Sequence, residues 1–138
     1  AHLHSKRRCT LEERSLVVIK PDAVLDKRDT EIKNFLISKG VTIIQEKNLW
    51  FTAEMLNAFY LYSIPKASFE KMVELYAKSF AILIVFEGEG AIAVGQETKN
   101  FFRRKYNYDY YGSTIHAADN AEEYAREVDL LNSSCDKF

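Results

Sequence analysis

The most constraining feature of this chain is an uninterrupted apolar run, FAILIVF, at residues 80–86. The run is far too short to cross a bilayer, which takes about 20 apolar residues. Its length and its β-branched and aromatic residues instead favour a buried strand. A second short run, LVVI at residues 16–19, predicts another buried strand. This strand should end near Lys20, because Pro21 cannot donate a hydrogen bond to a sheet.

The sequence after the first strand predicts a helix and then a further strand. Ile32, Phe35 and Leu36 have the i, i+3, i+4 spacing of a helix. Gly40 is a suitable residue to end that helix. Residues 41–50 begin with VTII and predict the further strand.

Two more helices are predicted before the run at residues 80–86. Thr52 is a suitable N-cap for the first helix, and Pro65 precedes the second. Each helix carries an apolar stripe at helical spacing. The stripes are Met55, Leu56, Phe59 and Tyr60 in the first helix and Phe69, Met72, Val73 and Tyr76 in the second.

The C-terminal third of the chain predicts mostly helix. Residues 91–105 should be helical in pieces. Asp119 precedes Glu122 by three residues, a spacing that suits the start of a last helix. A short last strand could follow near residues 128–131. The residues of the last helix expected to face inward are Ala121, Ala125 and Val128.

Strands that alternate with helices imply a sheet with helices packed on it. We therefore predict an α/β protein, an α+β sandwich with a ferredoxin-like sheet. The 138 residues contain no linker rich in proline, glycine or serine, which indicates a single domain over residues 11–138. Residues 1–10 are predicted to form an N-terminal extension that could be disordered.

Composition limits the classes of partner. The chain has 19 basic and 20 acidic side chains and a formal net charge of -1, whereas nucleic-acid binders usually carry a large basic excess. We expect no nucleic-acid partner, and no membrane partner because no apolar run is long enough to span one. The two cysteines form no C-x-x-C pair and suit a reducing compartment, so we expect a cytoplasmic protein.

Among the three histidines, His116 is the best candidate for chemistry. A neutral imidazole can attack a phosphoryl group, although the residue type alone favours a half-exposed loop histidine. Glu127, eleven residues later, could orient the imidazole and stabilise its cationic form. His2 and His4 have no nearby third ligand to complete a metal site.

Basic side chains provide candidate phosphate contacts. Lys20 should place its charge over the edge of the sheet, where ligands often bind in α/β folds, or should be a solvated strand-end lysine. Arg103, Arg104 and Lys105 precede several tyrosines, a mixture that can bind single-stranded nucleic acid or supply one phosphate-binding arginine. Because the chain has neither a P-loop nor a G-x-G-x-x-G motif, any phosphate chemistry must use another kind of site.

Three segments together resemble the nucleoside diphosphate kinase family. They are the K-P-D motif of residues 20–22, the pair Tyr60 and Phe69, and the segment IHAAD at residues 115–119 followed by Glu127. The resemblance covers residues 11 to about 131. It implies a nucleoside diphosphate kinase-like fold and a ping-pong reaction, in which a histidine takes the γ-phosphate of a nucleoside triphosphate and passes it to a nucleoside diphosphate.

The resemblance also implies roles for individual residues. His116 would carry the phosphoryl group and Glu127 would hold it, with Lys20 as the third catalytic residue. Phe69 would stack on the base, although its place in an apolar stripe equally suits core packing. The nucleotide-binding positions would be Lys20, Tyr60, Phe69, Gln96, Arg103 and Ser113.

The ligands implied by the resemblance are ATP and other nucleoside di- and triphosphates. Mg²⁺ would arrive with the nucleotide, and the protein itself would provide no metal site. The chain would form a homo-oligomer, either a dimer or a higher assembly.

Several positions depart from the family pattern. Gln96 stands where the family has an arginine, and Ser113 where it has an asparagine. Ala117 and Ala118 replace a glycine and a serine, so one hydroxyl that helps to position the glutamate is missing. Thr98 could replace a phosphate-binding threonine. The alternative function is therefore a catalytically weak or inactive kinase-like domain that serves as a nucleotide- or protein-binding module.

Overall fold

A computed structural model describes residues 13–60, 64–106 and 114–137, with side chains up to residue 133. Within these residues the strands are β1 (Glu13–Ile19), β2 (Thr42–Leu49), β3 (Ala81–Gly88) and β4 (Ile115–Ala117). They form one sheet in the order β2-β3-β1-β4, and every pair of neighbours is antiparallel. The sheet carries helices and confirms the predicted ferredoxin-like α/β arrangement.

The helices of the described residues lie between and after the strands. None of them is long and apolar enough to cross a membrane. The predicted extension at residues 1–10 lies outside the described residues. The helices are α1 (Pro21–Leu25), α2 (Asp29–Ser38), α3 (Ala53–Phe59), α4 (Lys66–Tyr76), α5 (Ala91–Lys105) and α6 (Ala121–Lys137).

The two faces of the sheet bury two separate cores. Leu16 and Val18 of β1 face the core formed with α3, α4 and α6. Val17 and Ile19 face the core formed with α1, α2 and α5. This division follows from the alternation of side chains along a strand. β3 is buried along almost its whole length, because it is paired on both edges and covered on both faces.

Local signals in the sequence predicted several boundaries correctly. Pro21 begins α1 directly after β1, which leaves Lys20 at the junction. The Thr52 hydroxyl accepts a hydrogen bond of 3.1 Å from the backbone N–H of Met55 and caps α3. α2 ends just before Gly40, whose φ of 91° is readily adopted by glycine.

The C-terminal third differs from the prediction in its elements. Residues 91–105 form one continuous helix, α5, and not separate pieces. The predicted strand at residues 128–131 is wrong, because those residues belong to α6. The fourth strand is β4, which pairs with residues 17–19 of β1. A strand of three residues is too short to show an alternating pattern in the sequence.

The start and the buried face of α6 also differ from the prediction. Asn120, and not Asp119, provides the cap, because its side-chain oxygen accepts a 2.8 Å hydrogen bond from the backbone N–H of Glu123. Ala121 and Ala125 are exposed. Val128 does pack against the core, as expected. Among the α6 residues whose side chains are described, those facing the core include Tyr124, Glu127, Val128, Leu130 and Leu131.

Candidate active site

His116 is the middle residue of β4 and pairs with Val18 of β1. Its neighbours Ile115 and Ala117 are buried in the core on the α5 side of the sheet. Alternation along the strand therefore turns His116 to the opposite side, towards α3 and α6. Its side chain keeps 16% of its possible exposure. The histidine is thus held on a strand and still reaches the surface.

Glu127 contacts His116 directly. Its Oε1 atom lies 2.9 Å from His116 Nε2, and its side chain is only 3% exposed. A carboxylate anion can only accept hydrogen bonds, so opposite such an anion Nε2 would carry the proton of this pair. The lone pair of the neutral imidazole then lies on Nδ1, which is the nitrogen able to act as a nucleophile.

Two aromatic rings from the end of α3 border the imidazole. The ring centroid of Phe59 lies 4.8 Å from that of His116, and the Tyr60 centroid lies 6.2 Å away, both edge-on. Edge-to-face contacts of this kind are favourable and restrict the orientation of the rings. They form because α3 packs next to α6, which carries Glu127.

Lys20 is buried between β1 and α1, with 2% of its surface exposed. Its backbone N–H donates a 2.9 Å hydrogen bond to the carbonyl of Thr114. The Thr114 hydroxyl donates to Asp22 Oδ2 at 3.3 Å. Burial raises the pKa of Asp22, although this hydrogen bond and the charge of Lys20 act in the opposite direction. These contacts join the K-P-D segment to Thr114, two residues before His116.

The hydroxyl of Tyr76 lies near several of the predicted site residues. Burial raises the pKa of Tyr76 well above its ordinary value of 10.0, and its hydrogen-bonded neighbour Tyr60 and the charge of Asp22 raise it further. The charge of Arg103 lowers it. The charges of Asp22 and Arg103 therefore both act on the buried Tyr76 side chain, in opposite directions.

Comparison with known proteins assigns this architecture to a family. The family model described as "Nucleoside diphosphate kinase" matches residues 13–136 of the chain. The chain belongs to the nucleoside diphosphate kinase family. A nucleoside diphosphate kinase of Pyrococcus furiosus is 30% identical over 131 residues, covering 86% of this chain and 81% of the relative. One from Bartonella henselae is 28% identical over 126 residues, covering 84% and 90%.

Solved structures of nucleoside diphosphate kinases share the same fold. The enzyme from Encephalitozoon cuniculi superposes with a TM-score of 0.74 at 25% sequence identity, covering 86% of this chain and 87% of that one. The enzyme from Aquifex aeolicus gives a TM-score of 0.72 at 26% identity, covering 87% and 94%. Sequence and fold thus place the chain in a family of phosphotransferases.

Gln96, at a position where the resemblance to nucleoside diphosphate kinases expects an arginine, contacts the turn after His116. Its amide nitrogen donates to the carbonyl of Ala118 at 2.9 Å and to Asp119 Oδ1 at 2.8 Å. Lys99, also on α5, lies 3.7 Å from the same Asp119 oxygen. Gln96 therefore joins α5 to the connection between β4 and α6, and its nucleotide contact stays a prediction.

Three further residues that were considered for nucleotide binding lie in different surroundings. Phe69, on α4, is partly buried and packs against the core, so its stacking role stays a prediction. Thr98 is fully buried and donates a 2.7 Å hydrogen bond to the carbonyl of Val94, so its hydroxyl is used within α5. Ser113 lies outside the described residues.

Some residues at the site were not predicted as functional from the sequence. Phe59 and Tyr76 were recognisable as members of apolar helical stripes, but that pattern does not indicate a neighbouring histidine. Thr114 carried no signal beyond its position before Ile115. Arg126 carried none either, except that it precedes Glu127, which it contacts in the fold.

Proposed function

We propose that the chain is an active nucleoside diphosphate kinase that carries the γ-phosphoryl group on His116. The observation that supports this most strongly is the 2.9 Å contact between His116 Nε2 and the buried Glu127 carboxylate. Such a carboxylate fixes the tautomer and the orientation of the ring, and it stabilises the positive charge that develops when the ring bonds to phosphorus.

In the first half-reaction, Nδ1 of His116 attacks the γ-phosphorus of a nucleoside triphosphate. A P–N bond forms as the P–O bond to the bridging oxygen breaks, and the nucleoside diphosphate leaves with that electron pair. The Nε2 proton stays in the hydrogen bond to Glu127. In the second half-reaction, a terminal phosphate oxygen of another nucleoside diphosphate attacks the same phosphorus, and the imidazole regains its lone pair.

The phosphates would be held by side chains near the end of β1. Lys20 and Arg103 supply positive charge, and the Tyr60 hydroxyl can donate to phosphate or sugar oxygens. Phe69 would stack on the base, an interaction that is tolerant of base identity because every base has a π-face. The substrates are therefore ATP and other nucleoside di- and triphosphates.

Mg²⁺ fits this site as an ion that arrives with the nucleotide. Within the described residues no group of three or more His, Cys, Asp or Glu side chains could hold a metal ion. Mg²⁺ is commonly held by one or two carboxylates together with substrate phosphate oxygens and water, so here it would be bound largely through the nucleotide. When bound, Mg²⁺ neutralises phosphate charge, while Lys20 and Arg103 orient the phosphates towards His116.

The chain is also proposed to form a homo-oligomer, a dimer or a higher assembly. β2 lies at an edge of the described sheet and exposes Ile44, and the preceding helix α2 exposes Ile37. An open strand edge with apolar side chains beside it favours pairing with another chain.

Labelling with γ-³²P-ATP and Mg²⁺ tests the proposed reaction. The wild-type chain should take up label and release it as labelled GTP when GDP is added. The variant His116→Asn should take up none, because its amide cannot form the P–N bond. A wild-type chain that binds ATP and stays unlabelled would contradict the proposal.

A second candidate is a nucleotide-binding module that does not transfer phosphate. The observation that favours it is on α5, where Gln96 and Thr98 make protein contacts. Calorimetry distinguishes the two candidates when it is combined with labelling. Nucleotide binding without a phosphoenzyme would support the module, and binding that leads to turnover would exclude it.

A further inference from the structure

Arg126 on α6 makes a three-way contact beside the candidate active site. Its Nη2 atom lies 3.5 Å from Oε2 of Glu127. The same guanidinium donates hydrogen bonds to the backbone carbonyls of Ala58 at 3.3 Å and Phe59 at 3.0 Å, at the end of α3. One side chain therefore joins the carboxylate behind His116 to the helix end that carries the rings beside it.

The contacts at the end of α3 matter because the last carbonyls of a helix have no partner within the helix. A guanidinium is a planar fork of donors and can satisfy two such oxygens while it faces a carboxylate. The rings of Phe59 and of the next residue, Tyr60, lie against the imidazole of His116. Arg126 thus fixes the helix end from which both rings approach the histidine.

The contact with Glu127 matters because that carboxylate is almost fully buried. Burying a carboxylate is costly unless its oxygens are paired or hydrogen-bonded. Oε1 faces His116, and Oε2 faces Arg126. Ala118, on the connection between β4 and α6, presents only a methyl group. The arginine supplies the second partner of Glu127 from the same helix.

We propose that Arg126 is a positioning residue that holds Glu127 in the orientation in which His116 presents Nδ1 to the phosphoryl group. The inference rests on the proposed transfer through His116 and adds the device that keeps the histidine–glutamate pair aligned. Arg126 acts through Glu127 and the end of α3, and it does not itself touch the reacting phosphorus.

A double-mutant cycle separates this role from a structural one. The proteins are wild type, Arg126→Gln, Glu127→Ala and the combined variant, and the measurement is the rate of phosphoenzyme formation in a single turnover. Arg126→Gln should slow wild type about tenfold. It should slow the Glu127→Ala background by less than about threefold, because its contact with the glutamate is gone and only its contacts with the end of α3 remain. Equal slowing in both backgrounds, or no slowing in wild type, would overturn the inference.

Two further variants control for charge and for folding. Arg126→Lys keeps the charge but lacks the fork, so it should recover part of the lost rate. Arg14→Gln removes another arginine that pairs with a glutamate, Glu87, in an exposed place on β1 and β3. It should keep the wild-type rate. If Arg126→Lys were no faster than Arg126→Gln, the charge of Arg126 would have no part in positioning Glu127.

A spectroscopic readout does not depend on phosphate transfer. In the unphosphorylated protein, the His116 Nε2 proton should give a protected, downfield NMR signal because it lies in a hydrogen bond to a buried carboxylate. In Arg126→Gln this signal should shift upfield and exchange faster. If the wild-type chain formed no phosphoenzyme, the proposed function would be contradicted but the role of Arg126 would not. If the signal were unchanged in Arg126→Gln, the role of Arg126 would be contradicted.

Discussion

The histidine side of the candidate site, on β4 and α6, is held by direct contacts to His116, whereas on α5 two of the positions considered for phosphate binding make contacts to the protein instead. His116 has a buried carboxylate at 2.9 Å and a ring of Phe59 at its edge. On α5, Gln96 and Thr98 are bonded to other parts of the protein. Arg103, also on α5, is half-buried, and its charge acts on the buried Tyr76 side chain.

This difference has a consequence for activity because the two sides contribute in different ways. Covalent transfer needs one nitrogen in one orientation, and a misaligned pair loses rate steeply. Phosphate binding is spread over several cations, each of which contributes about 1.5–3 kcal/mol. We therefore expect an enzyme whose chemical step is intact and whose affinity for nucleotide is reduced.

The largest effect is expected on the histidine side, from Glu127→Ala. Loss of the carboxylate releases the imidazole and removes the charge that stabilises the phosphorylated ring, so phosphoenzyme formation should fall roughly a hundredfold. Glu122→Ala is the matched control, because Glu122 is exposed on the first turn of the same helix. Equal rates for these two variants in stopped-flow labelling would show that the 2.9 Å contact has no catalytic value.

The next effect is expected on the phosphate side, from Arg103→Ala. Removing a charged phosphate contact costs about 2 kcal/mol. The KM for ATP should therefore rise roughly thirtyfold while kcat changes less. Arg104→Ala provides the comparison, because Arg104 is the exposed neighbour on α5. If steady-state kinetics gave both variants the same KM, Arg103 would not be the phosphate ligand.

A gain is expected from Gln96→Arg, which places an arginine where the family resemblance expects one. An arginine can keep the hydrogen bonds to the Ala118 carbonyl and Asp119 and still present donors to a phosphate, so the KM for ATP should fall about fivefold. Ala93→Arg adds the same charge at an exposed position of the preceding turn. A similar fall in KM in that control would mean that overall charge, and not position, limits affinity.

The smallest effect is expected from Asp22→Asn, and it concerns stability. Burial raises the pKa of Asp22 in the folded chain above its ordinary value of 3.8. At pH values between the ordinary pKa and the raised pKa, the folded state therefore binds more protons than the unfolded state. Its contribution to stability is then lost as pH rises through that window. Asparagine can keep the Thr114 contact without the charge. The stability of Asp22→Asn relative to wild type, measured as the free energy of unfolding, should therefore be higher at pH 7 than at pH 4.

Urea unfolding of both proteins at the two pH values measures this difference. The predicted result is a larger unfolding free energy for Asp22→Asn, relative to wild type, at the higher pH. A relative stability that is independent of pH would show that the Asp22 carboxyl titrates alike in the folded and unfolded chains.

The sequence predicted the sheet well because its central strands are continuous apolar runs and their helices carry regular stripes. It proposed His116, Glu127, Lys20 and Arg103 as site residues through the resemblance to the family. It could not show that β4 carries His116, since three residues have no readable period. It also missed the buried face of α6, because Glu127 occupies a position in the stripe where an apolar residue is expected.

Contacts between distant segments were beyond sequence reasoning for a different reason. Arg126 meets the end of α3 only because α3 packs next to α6, and Gln96 meets the turn after His116 only because α5 packs on β4. Such contacts depend on packing angles that no local pattern encodes.

Mass spectrometry of the intact chain after brief exposure to ATP and Mg²⁺ tests the central claim most directly. At neutral to alkaline pH, where phosphohistidine survives, the wild-type chain should gain one phosphoryl group, fragmentation should locate it on His116, and added ADP should remove it. A phosphoryl group on another residue, or an unmodified chain with nucleotide bound, would contradict the assignment of His116 as the phosphate carrier.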